Sequence, residues 1–479
     1  MSETKKSVTK NYIYNLIYQI LTILLPIVTT PYLSRVLGAE NIGIYSYTYS
    51  ITTYFIIIGS MGISLYGQRE IAYLQNDKYK RSKTFWEIAI LKFVTTSISM
   101  IIFFFAFIMG TQYNFYYGLL SLNLLSTAIE IIWFFQGLEE FKKTVTRNIL
   151  VKLFCFVSIF IFVKNNNDLW KYFLIYGLSE VLGNITLWAY LPKYICKVKL
   201  RDLNILKHIK PTLTLFIPQI SSQIYAMLDK TMLGNVSNSK AEVGYYEQAQ
   251  KIINLCVAVV TSLGTVLIPR IASVFSTGNI KKLKEYISKS FKFTYFLALP
   301  MIFGIFIVAD EFVPIFFGNG YERVAIILKV ISPIILLTGM TNVIGKQFLL
   351  PTKKEKIYTI AIITGTITNG VLNYIFIPYG GAVAASITTI IGEIVILIIE
   401  LTFTRKNIKF IKIIKSCWKY LVASIMMLSV CEVIKHFIIG SIFVSIPVAI
   451  IVYVVVLLLT KDDILNEIIK KVLKFFKKQ

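Results

Sequence analysis

Apolar stretches of about 20 residues, each long enough to cross a bilayer as a helix, recur from one end of this chain to the other. Hydrophobic residues make up 56% of the 479 positions and charged residues only 16%, whereas a soluble domain keeps about 25% charged residues. Lipid rather than water must therefore cover most of the surface. The pattern predicts an all-α polytopic membrane protein with about fourteen transmembrane helices.

The spans follow one another with short loops between them. The N-terminal segment runs into the first span without a cleavage site, so we expect no removable signal peptide. An even number of spans returns the chain to its starting side, which places both termini on the same face. The predicted spans are residues 12–34, 42–65, 85–110, 113–136, 147–164, 169–191, 211–234, 243–268, 289–309, 323–345, 356–377, 380–402, 416–435 and 439–460.

Basic residues lie almost entirely in alternate loops. Counted over the loops and termini, 37 lysines and arginines fall on one face and six on the other. The positive-inside rule therefore predicts that both termini are cytoplasmic, in a multi-pass protein of the cytoplasmic membrane. The formal charge of +25 is then explained by insertion and by contact with anionic lipid, so we expect no nucleic-acid partner.

Weak internal similarity relates the two halves of the chain at an offset of roughly 200 residues. A Leu-Gly pair precedes the second span of each half, and a Gln is followed six and seven residues later by a Lys-Lys pair in each half. The matching positions are Leu37-Gly38 with Leu233-Gly234, and Gln136 and Lys142-Lys143 with Gln347 and Lys353-Lys354.

This repeat predicts two lobes of six helices each. Because six is an even number, the lobes insert in the same orientation and form a parallel pseudo-twofold arrangement, with a cavity between them. The predicted division is 1–205 for helices 1–6, 206–410 for helices 7–12, 411–460 for helices 13 and 14, and 461–479 for a basic amphipathic tail on the cytoplasmic side.

Polar residues inside the spans are the candidates for lining that cavity, because a charge at the bilayer centre costs at least about 2.5 kcal/mol unless it faces water or a partner. The first helix of each lobe is among the most polar. Three alternatives remain open: hydrogen bonding between helices, snorkelling to the headgroups, and mutual neutralisation of Glu247 and Lys251. The candidates are Gln19, Arg35, Glu130, Gln219, Gln223, Tyr225, Asp229, Lys230, Glu247 and Lys251.

Catalysis, metal and ATP chemistry have little support in the sequence. The five cysteines and two histidines are scattered, and no G-x-x-x-x-G-K-[ST] sequence is present. We therefore expect neither an enzyme nor a bound cofactor. Coupling to a proton or a sodium ion remains open, with Asp229, Glu130 or Glu393 as carriers.

Two runs of the sequence resemble the Wzx-type polysaccharide flippases of the multidrug/oligosaccharidyl-lipid/polysaccharide exporter superfamily. They are PYLSRVLGAENIGIYSYTYS at 31–50 and PQISSQIYAMLDKTMLGNVSNSKAEVGYYEQAQKI at 218–252. The resemblance implies a fold like that of the multidrug antiporters and the lipid II flippase. It also implies transfer of an undecaprenyl-diphosphate-linked oligosaccharide to the outer leaflet by alternating access, for capsule, exopolysaccharide or O-antigen synthesis. Membrane lipids, a polysaccharide polymerase and glycosyltransferases are the further partners implied.

Three other functions are weighed against this one. A teichoic-acid precursor flippase would share all the features above. A multidrug cation antiporter would share the fold but should carry mainly acidic cavity charges, whereas the charges here are mixed to basic. A polymerase or membrane glycosyltransferase would need a large outer loop or a catalytic domain, and the longest predicted outer loop, 310–322, has only about 13 residues.

Overall fold

The computed structural model describes residues 8–237, 239–405, 408, 410–437 and 442–476. Within helices, some side chains also fall outside the description, including those of the predicted site residues Gln19 and Gln219. In the described part, helices are the only regular secondary structure. The chain divides into two compact units, residues 1–234 and 235–479.

The first unit holds eight helices in its described residues. They are α1 Val8–Ser60, α2 Ile63–Tyr73, α3 Lys78–Phe103, α4 Asn114–Ile129, α5 Ile132–Gly137, α6 Phe141–Phe162, α7 Leu169–Tyr190 and α8 Ile209–Val236. A wider π-helical turn, Phe104–Ile108, extends α3. Short 3-10 turns lie at Asn166–Asp168, Leu191–Lys193, Leu200–Asp202 and Leu206–His208.

The second unit continues with nine helices in its described residues. They are α9 Lys240–Ser276, α10 Ile280–Phe317, α11 Glu322–Ile331, α12 Ile334–Thr341, α13 Glu355–Thr404, α14 Phe410–Ser416, α15 Trp418–Phe437, α16 Ile442–Leu459 and α17 Asp463–Phe476. A π-helical stretch, Asn342–Leu349, follows α12.

Most described residues of the fourteen predicted spans are helical, with short non-helical breaks inside some of them, as at 61–62, 130–131 and 332–333. Eight helices of the described residues are individually long and apolar enough to span a membrane, or nine when the pair Glu322–Ile331 and Ile334–Leu349, bent by 41°, is taken as one span. Pro333 stands at that bend, where its ring and missing N–H interrupt the helix. A polytopic all-α membrane fold is therefore confirmed, while the count of fourteen stays a prediction.

Two of the helices are too long to be single spans. α1 has 53 residues and α13 has 50, which is about 75–80 Å of helix against a hydrocarbon core of about 30 Å. Each contains a glycine with non-helical backbone angles, Gly38 (φ 75, ψ 168) and Gly381 (φ 55, ψ −132). Only glycine enters the left-handed region without steric cost, so each long helix is two consecutive predicted spans joined at a glycine.

α8 packs with the helices that precede it. Thr231 Oγ1 lies 2.9 Å from Ser50 Oγ and 3.1 Å from Tyr54 Oη. Gly234 lies against Tyr47, so closely that a Cβ on this glycine would stand 1.9 Å from Tyr47 Cδ2. The repeat assigns α8 to the second lobe, whereas its packing joins it to the first unit. The predicted lobe boundaries rest on the sequence repeat and stay a prediction.

The segment between α7 and α8 is anchored to α3 through Glu87, whose side chain is fully buried. Its carboxylate accepts hydrogen bonds from the Asn204 backbone N–H at 2.7 Å and from His208 Nε2 at 3.0 Å, and pairs with Lys207 Nζ at 2.7 Å. Burial is the main cause that lowers the pKa of His208. The ring is therefore neutral at pH 7, with its hydrogen on Nε2, and Nδ1 accepts from Tyr66 Oη at 2.7 Å.

The described part of the predicted amphipathic tail is helix α17. Asp462 starts this helix, because its side chain accepts from the backbone N–H groups of Ile464 and Leu465 at 3.0 and 3.1 Å. Ion pairs join α17 to α10, Lys289 with Glu467 at 2.6 Å and Lys292 with Asp463 at 3.3 Å. The tail is thus held to the second unit by charge pairs as well as by its apolar face.

The Glu87 cluster gives a stability test. Glu87→Ala leaves Lys207, His208 and the Asn204 N–H without their acceptor, and we expect a loss of about 3–5 kcal/mol in the free energy of unfolding. The measurement is the apparent melting temperature of the purified protein in detergent. Glu70→Ala is the control, since Glu70 forms a more exposed pair with Arg69. Equal melting temperatures for the two variants would contradict the anchoring role.

Candidate functional site

Asp229 and Lys230 are the two charged candidates on α8. Asp229 is buried and Lys230 half-buried. They directly precede Thr231, the residue through which α8 contacts Ser50 and Tyr54 of α1. Acidic, basic and hydroxyl groups therefore meet where the end of α8 packs against the second half of α1.

The other candidates on α1 and α8 have more open surroundings. Arg35 is exposed, three residues before the bend at Gly38. On α8, Gln223 is exposed and Tyr225 half-buried. Exposed polar groups on membrane helices are the ones available to a polar ligand or to water. Gln19 and Gln219 lie outside the described side chains, so their part in the site stays a prediction.

Glu130 lies at a break between α4 and α5, in extended conformation (φ −70, ψ 123). Its carboxylate pairs with Lys92 of α3, and the same Lys92 Nζ lies 3.0 Å from the Glu130 carbonyl oxygen. Ser64 Oγ donates to the carboxylate at 3.4 Å. Lys92 is only 1% exposed. The ion pair therefore lies buried at the break between α4 and α5, where the two opposite charges neutralise each other.

Glu130 was among the residues predicted from the sequence, whereas Lys92 was not. Its position inside the predicted span 85–110 could have identified Lys92, because a cation inside a span requires a partner. The sequence alone does not say which acidic residue supplies it.

Glu247 and Lys251 belong to the second unit, on α9. Their charged groups lie 3.9 Å apart, one helical turn from each other. This is the geometry of the alternative in which the two residues neutralise each other. The Lys251 side chain is nevertheless 35% exposed and that of Glu247 15% exposed.

A group of polar residues on α13 and α9 bond to one another. In α13, Asn373 Nδ2 donates to Asn369 Oδ1 at 3.2 Å, and Thr388 donates to Asn373 Oδ1. Thr389 Oγ1 lies 3.3 Å from Tyr246 Oη of α9. All five residues are buried. They serve as polar contacts between helices, which leaves fewer groups for a ligand than the polar stripes of the sequence suggested.

Two buried glutamates on α13 stand apart from that network. Glu393 accepts from Thr341 Oγ1 at 2.6 Å. Glu400 is 0% exposed, and neither of its carboxyl oxygens has a hydrogen-bond partner in the described part of the chain. It lies against Gly345 of the π-helical stretch, where a Cβ would stand 2.6 Å from Glu400 Oε1. Interruptions of this kind are frequent at functional sites.

Glu400 was not among the predicted carriers of a coupling ion. It lies near the end of the predicted span 380–402, where a glutamate is indistinguishable from one that reaches the headgroup region. Burial without a partner favours a carboxyl group that carries a proton, and only the structure shows that burial.

A family model described as "Polysaccharide biosynthesis protein" matches residues 8–275, more than half of the chain. The chain belongs to this family. A second family model, MatE, matches residues 215–375. The resemblance drawn from residues 31–50 and 218–252 is thereby confirmed, as is the prediction of a multi-pass membrane protein.

Two curated relatives are each described as a "Putative O-antigen transporter". That of Escherichia coli (strain K12) is 26% identical over 412 residues, which cover 85% of this chain and 99% of the relative. That of Shigella dysenteriae is 22% identical and covers 79% and 95%. These relatives are transporters, and the prediction that the chain is not an enzyme is confirmed.

Solved structures agree on the fold. The lipid II flippase MurJ in an inward closed conformation superposes with a TM-score of 0.71 at 17% identity, over 95% of this chain and 100% of that one. An inward-facing multidrug resistance MATE family transporter gives 0.63 at 14% identity, over 85% and 96%. The predicted MATE-like fold is therefore confirmed.

The Lys92–Glu130 pair yields a second test. Lys92→Met leaves an unpaired carboxylate at the helix break and should lower stability by about 3–5 kcal/mol. The double variant Lys92→Met with Glu130→Gln removes both charges, and we expect it to recover most of that loss. Thermal unfolding in detergent measures both. A double variant as unstable as the single one would show that the two charges do not act as a pair.

Proposed function

We propose that the protein is a flippase that moves an undecaprenyl-diphosphate-linked oligosaccharide from the cytoplasmic to the outer leaflet of the cytoplasmic membrane. The product would serve the synthesis of a cell-surface polysaccharide: capsule, exopolysaccharide or O-antigen. The observation that supports this most directly is the match to the E. coli relative described as a putative O-antigen transporter, which extends over 99% of that protein. Alternating access of the two predicted lobes is the proposed mechanism.

The substrate sets the physical problem. Sugar hydroxyls and a diphosphate cannot enter hydrocarbon without losing their hydration, so the protein must offer a polar route. Arg35, Lys230 and Lys251 are proposed to pair with the diphosphate. Arginine can bind phosphate oxygens with two hydrogen bonds, whereas lysine acts as a point charge.

The uncharged and acidic candidates are assigned to the rest of the headgroup. Gln19, Gln219, Gln223 and Tyr225 are proposed to contact sugar hydroxyls. Their amide and phenol groups both donate and accept hydrogen bonds, as hydroxyl recognition requires. Asp229 and Glu247 lie next to the proposed cations Lys230 and Lys251, in sequence or by ion pair, and would balance their charge in the absence of substrate.

The membrane potential is one proposed energy source. Moving one charge through 100 mV is worth about 2.3 kcal/mol, so a diphosphate with two negative charges gains about twice that on moving outward. Coupling to a proton or sodium ion is the alternative, with Asp229, Glu130 or Glu393 as carriers. The carboxyl group of Glu400, which is buried and has no hydrogen-bond partner among the described residues, favours adding Glu400 to these carriers.

The orientation proposed from the sequence places both termini in the cytoplasm. The 37-to-6 distribution of basic residues supports it. A polymerase and glycosyltransferases would then act on opposite faces of the membrane, as the partners that consume the product and supply the substrate.

A multidrug antiporter is the second candidate function. The MatE match to residues 215–375 and the TM-score of 0.63 with a MATE transporter favour it. Cationic drugs, however, would be repelled by the cations proposed for the site. A teichoic-acid precursor flippase shares the diphosphate chemistry and differs only in the glycan.

The function is tested by deleting the gene in a strain without paralogues. We expect lipid-linked oligosaccharide to accumulate in the cytoplasmic leaflet, measured by its protection from a glycan-binding probe added outside spheroplasts. Re-expression should restore outer labelling. Unchanged outer labelling in the deletion strain would exclude the flippase function, and a changed sensitivity to cationic drugs alone would favour the antiporter.

Lys230 provides the residue-level test. Lys230→Ala should abolish outer-leaflet labelling because the diphosphate loses a countercharge, while Lys230→Arg should retain part of it. Membrane insertion is checked by the amount of protein in purified membranes. Lys281→Ala, at an exposed lysine of α10, is the control and should transport normally. Normal transport by Lys230→Ala would remove this residue from the site.

A further inference from the structure

A groove lies between α6 and α7 in the first unit, outside the proposed transport site. Its cavity volume is about 590 Å³, which is in the range of sites that hold small-molecule ligands. One end of α6 supplies three cations, and the following turns of both helices supply apolar side chains. The cations are Lys142, Lys143 and Arg147, and the largest apolar side chains are Leu150, Phe154 and Leu182.

Gly183 makes room for the basic end. A Cβ on this residue would stand 2.7 Å from the guanidinium nitrogens Nε and Nη2 of Arg147 and 2.2 Å from Val151 Cγ2. Because the glycine lacks that atom, the arginine can lie against the backbone of α7. A larger residue at 183 would displace the guanidinium group from its present position.

Hydrogen bonds fix the position of the Arg147 guanidinium group, but not all of its N–H groups have an acceptor among the described residues. Its Nη2 donates to Asn184 Oδ1 at 2.9 Å and to Glu180 Oε2 at 3.2 Å, and its Nη1 donates to Asn148 Oδ1 at 2.7 Å. The side chain is only 6% exposed. Its Nε is buried and has no hydrogen-bond partner in the described part of the chain. One N–H donor of this buried cation therefore has no acceptor among the described residues.

The two lysines differ in how they are fixed. Lys143 Nζ lies 4.1 Å from the centre of the Tyr194 ring and 3.4 Å from Glu140 Oε2, so its position is set by a cation–π contact and an ion pair. Lys142 is exposed. The described residues that line the groove include these three cations and no acidic side chain, which makes the lining a match for an anion.

The other end of the groove would be a poor place for a free anion. Leu150 is 62% exposed, Phe154 55% and Leu182 52%. In a membrane protein such side chains face hydrocarbon. Inorganic phosphate would satisfy the cations and leave this apolar half without an occupant, whereas a lipid would satisfy both halves.

We propose that this groove binds an anionic phospholipid, with the phosphate of its headgroup at Lys142, Lys143 and Arg147 and an acyl chain along Leu150, Phe154 and Leu182. Basic pockets between membrane helices on the cytoplasmic side bind anionic headgroups, and the end of α6 that carries Lys142 is on the face predicted to be cytoplasmic. Arg147 would add its positive charge from the buried side of the cluster. The site does not depend on the proposed transport function.

The lysine pair of the sequence repeat does not by itself produce such a site. In the second unit, Lys354 also borders a cavity, but that cavity is only about 50 Å³, against about 590 Å³ for the α6–α7 groove. Lys354 Nζ lies 5.7 Å from the centre of the Phe348 ring. Of the two lysine pairs of the repeat, the one on α6 is therefore the one that borders a groove of ligand size in the described residues.

The test measures lipid binding to the purified full-length protein. We expect native mass spectrometry to show retained phosphatidylglycerol in preference to phosphatidylcholine, and phosphatidylglycerol to raise the melting temperature. Lys142→Glu should weaken phosphatidylglycerol binding about tenfold or more, because it replaces an attraction with a repulsion. Leu182→Trp should also weaken it by filling the apolar half. Lys193→Glu, at an exposed lysine outside the groove, should bind as the unsubstituted protein does.

Three outcomes would overturn the proposal. They are equal binding of the two lipids, equal losses for Lys142→Glu and Lys193→Glu, and full thermal protection by inorganic phosphate alone, which would show that the ligand is the free anion. The binding measurement needs no transport assay. Failure of this proposal therefore leaves the flippase proposal standing, and the reverse also holds.

Discussion

The cost of an unpaired polar group in hydrocarbon governs this structure. Backbone N–H and C=O groups are paired by making nearly every described segment helical, since a helix satisfies its backbone internally. Side chains are held to the same requirement. Lys92 forms an ion pair with Glu130. Arg147 donates hydrogen bonds to Glu180 and Asn184, and Asn373 donates one to Asn369. Where a helix breaks at Glu130, a lysine bonds both the freed carbonyl oxygen and the carboxylate.

The same constraint separates structural from functional polarity. A polar residue whose bonds are complete inside one unit has little left to offer a substrate, and much of α13 is of this kind. Residues with incomplete bonding or open surroundings are different. Among the described residues, Glu400 has no hydrogen-bond partner and the Nε of Arg147 has no acceptor. These are the positions whose bonding the described part of the chain leaves incomplete.

The sequence alone was sufficient to predict the features that depend on average hydropathy. The spans are mostly helical and the fold class is confirmed, because a 20-residue apolar stretch leaves few structural choices. The family followed instead from the resemblance of residues 31–50 and 218–252. Partners on different helices were not predictable, because such pairing depends on how helices are packed. Lys92 and Glu130 are separated by 38 residues. Nothing local distinguishes that carboxylate from the buried, unpartnered one of Glu400. The break at Glu130, inside a predicted span, was also missed, since hydropathy continues across it.

The separation of Lys92 from Glu130 has a consequence for biogenesis. The chain is made from its N-terminus at about 5–20 residues per second. A gap of 38 residues therefore leaves α3 synthesised for roughly 2–8 s before its counterion exists. If α3 is inserted alone during that interval, it holds an unpaired lysine in its span at a cost of about 2.5–3.5 kcal/mol. The arrival of Glu130 removes that cost, so the stability of α3 in the bilayer depends on a residue that is synthesised later.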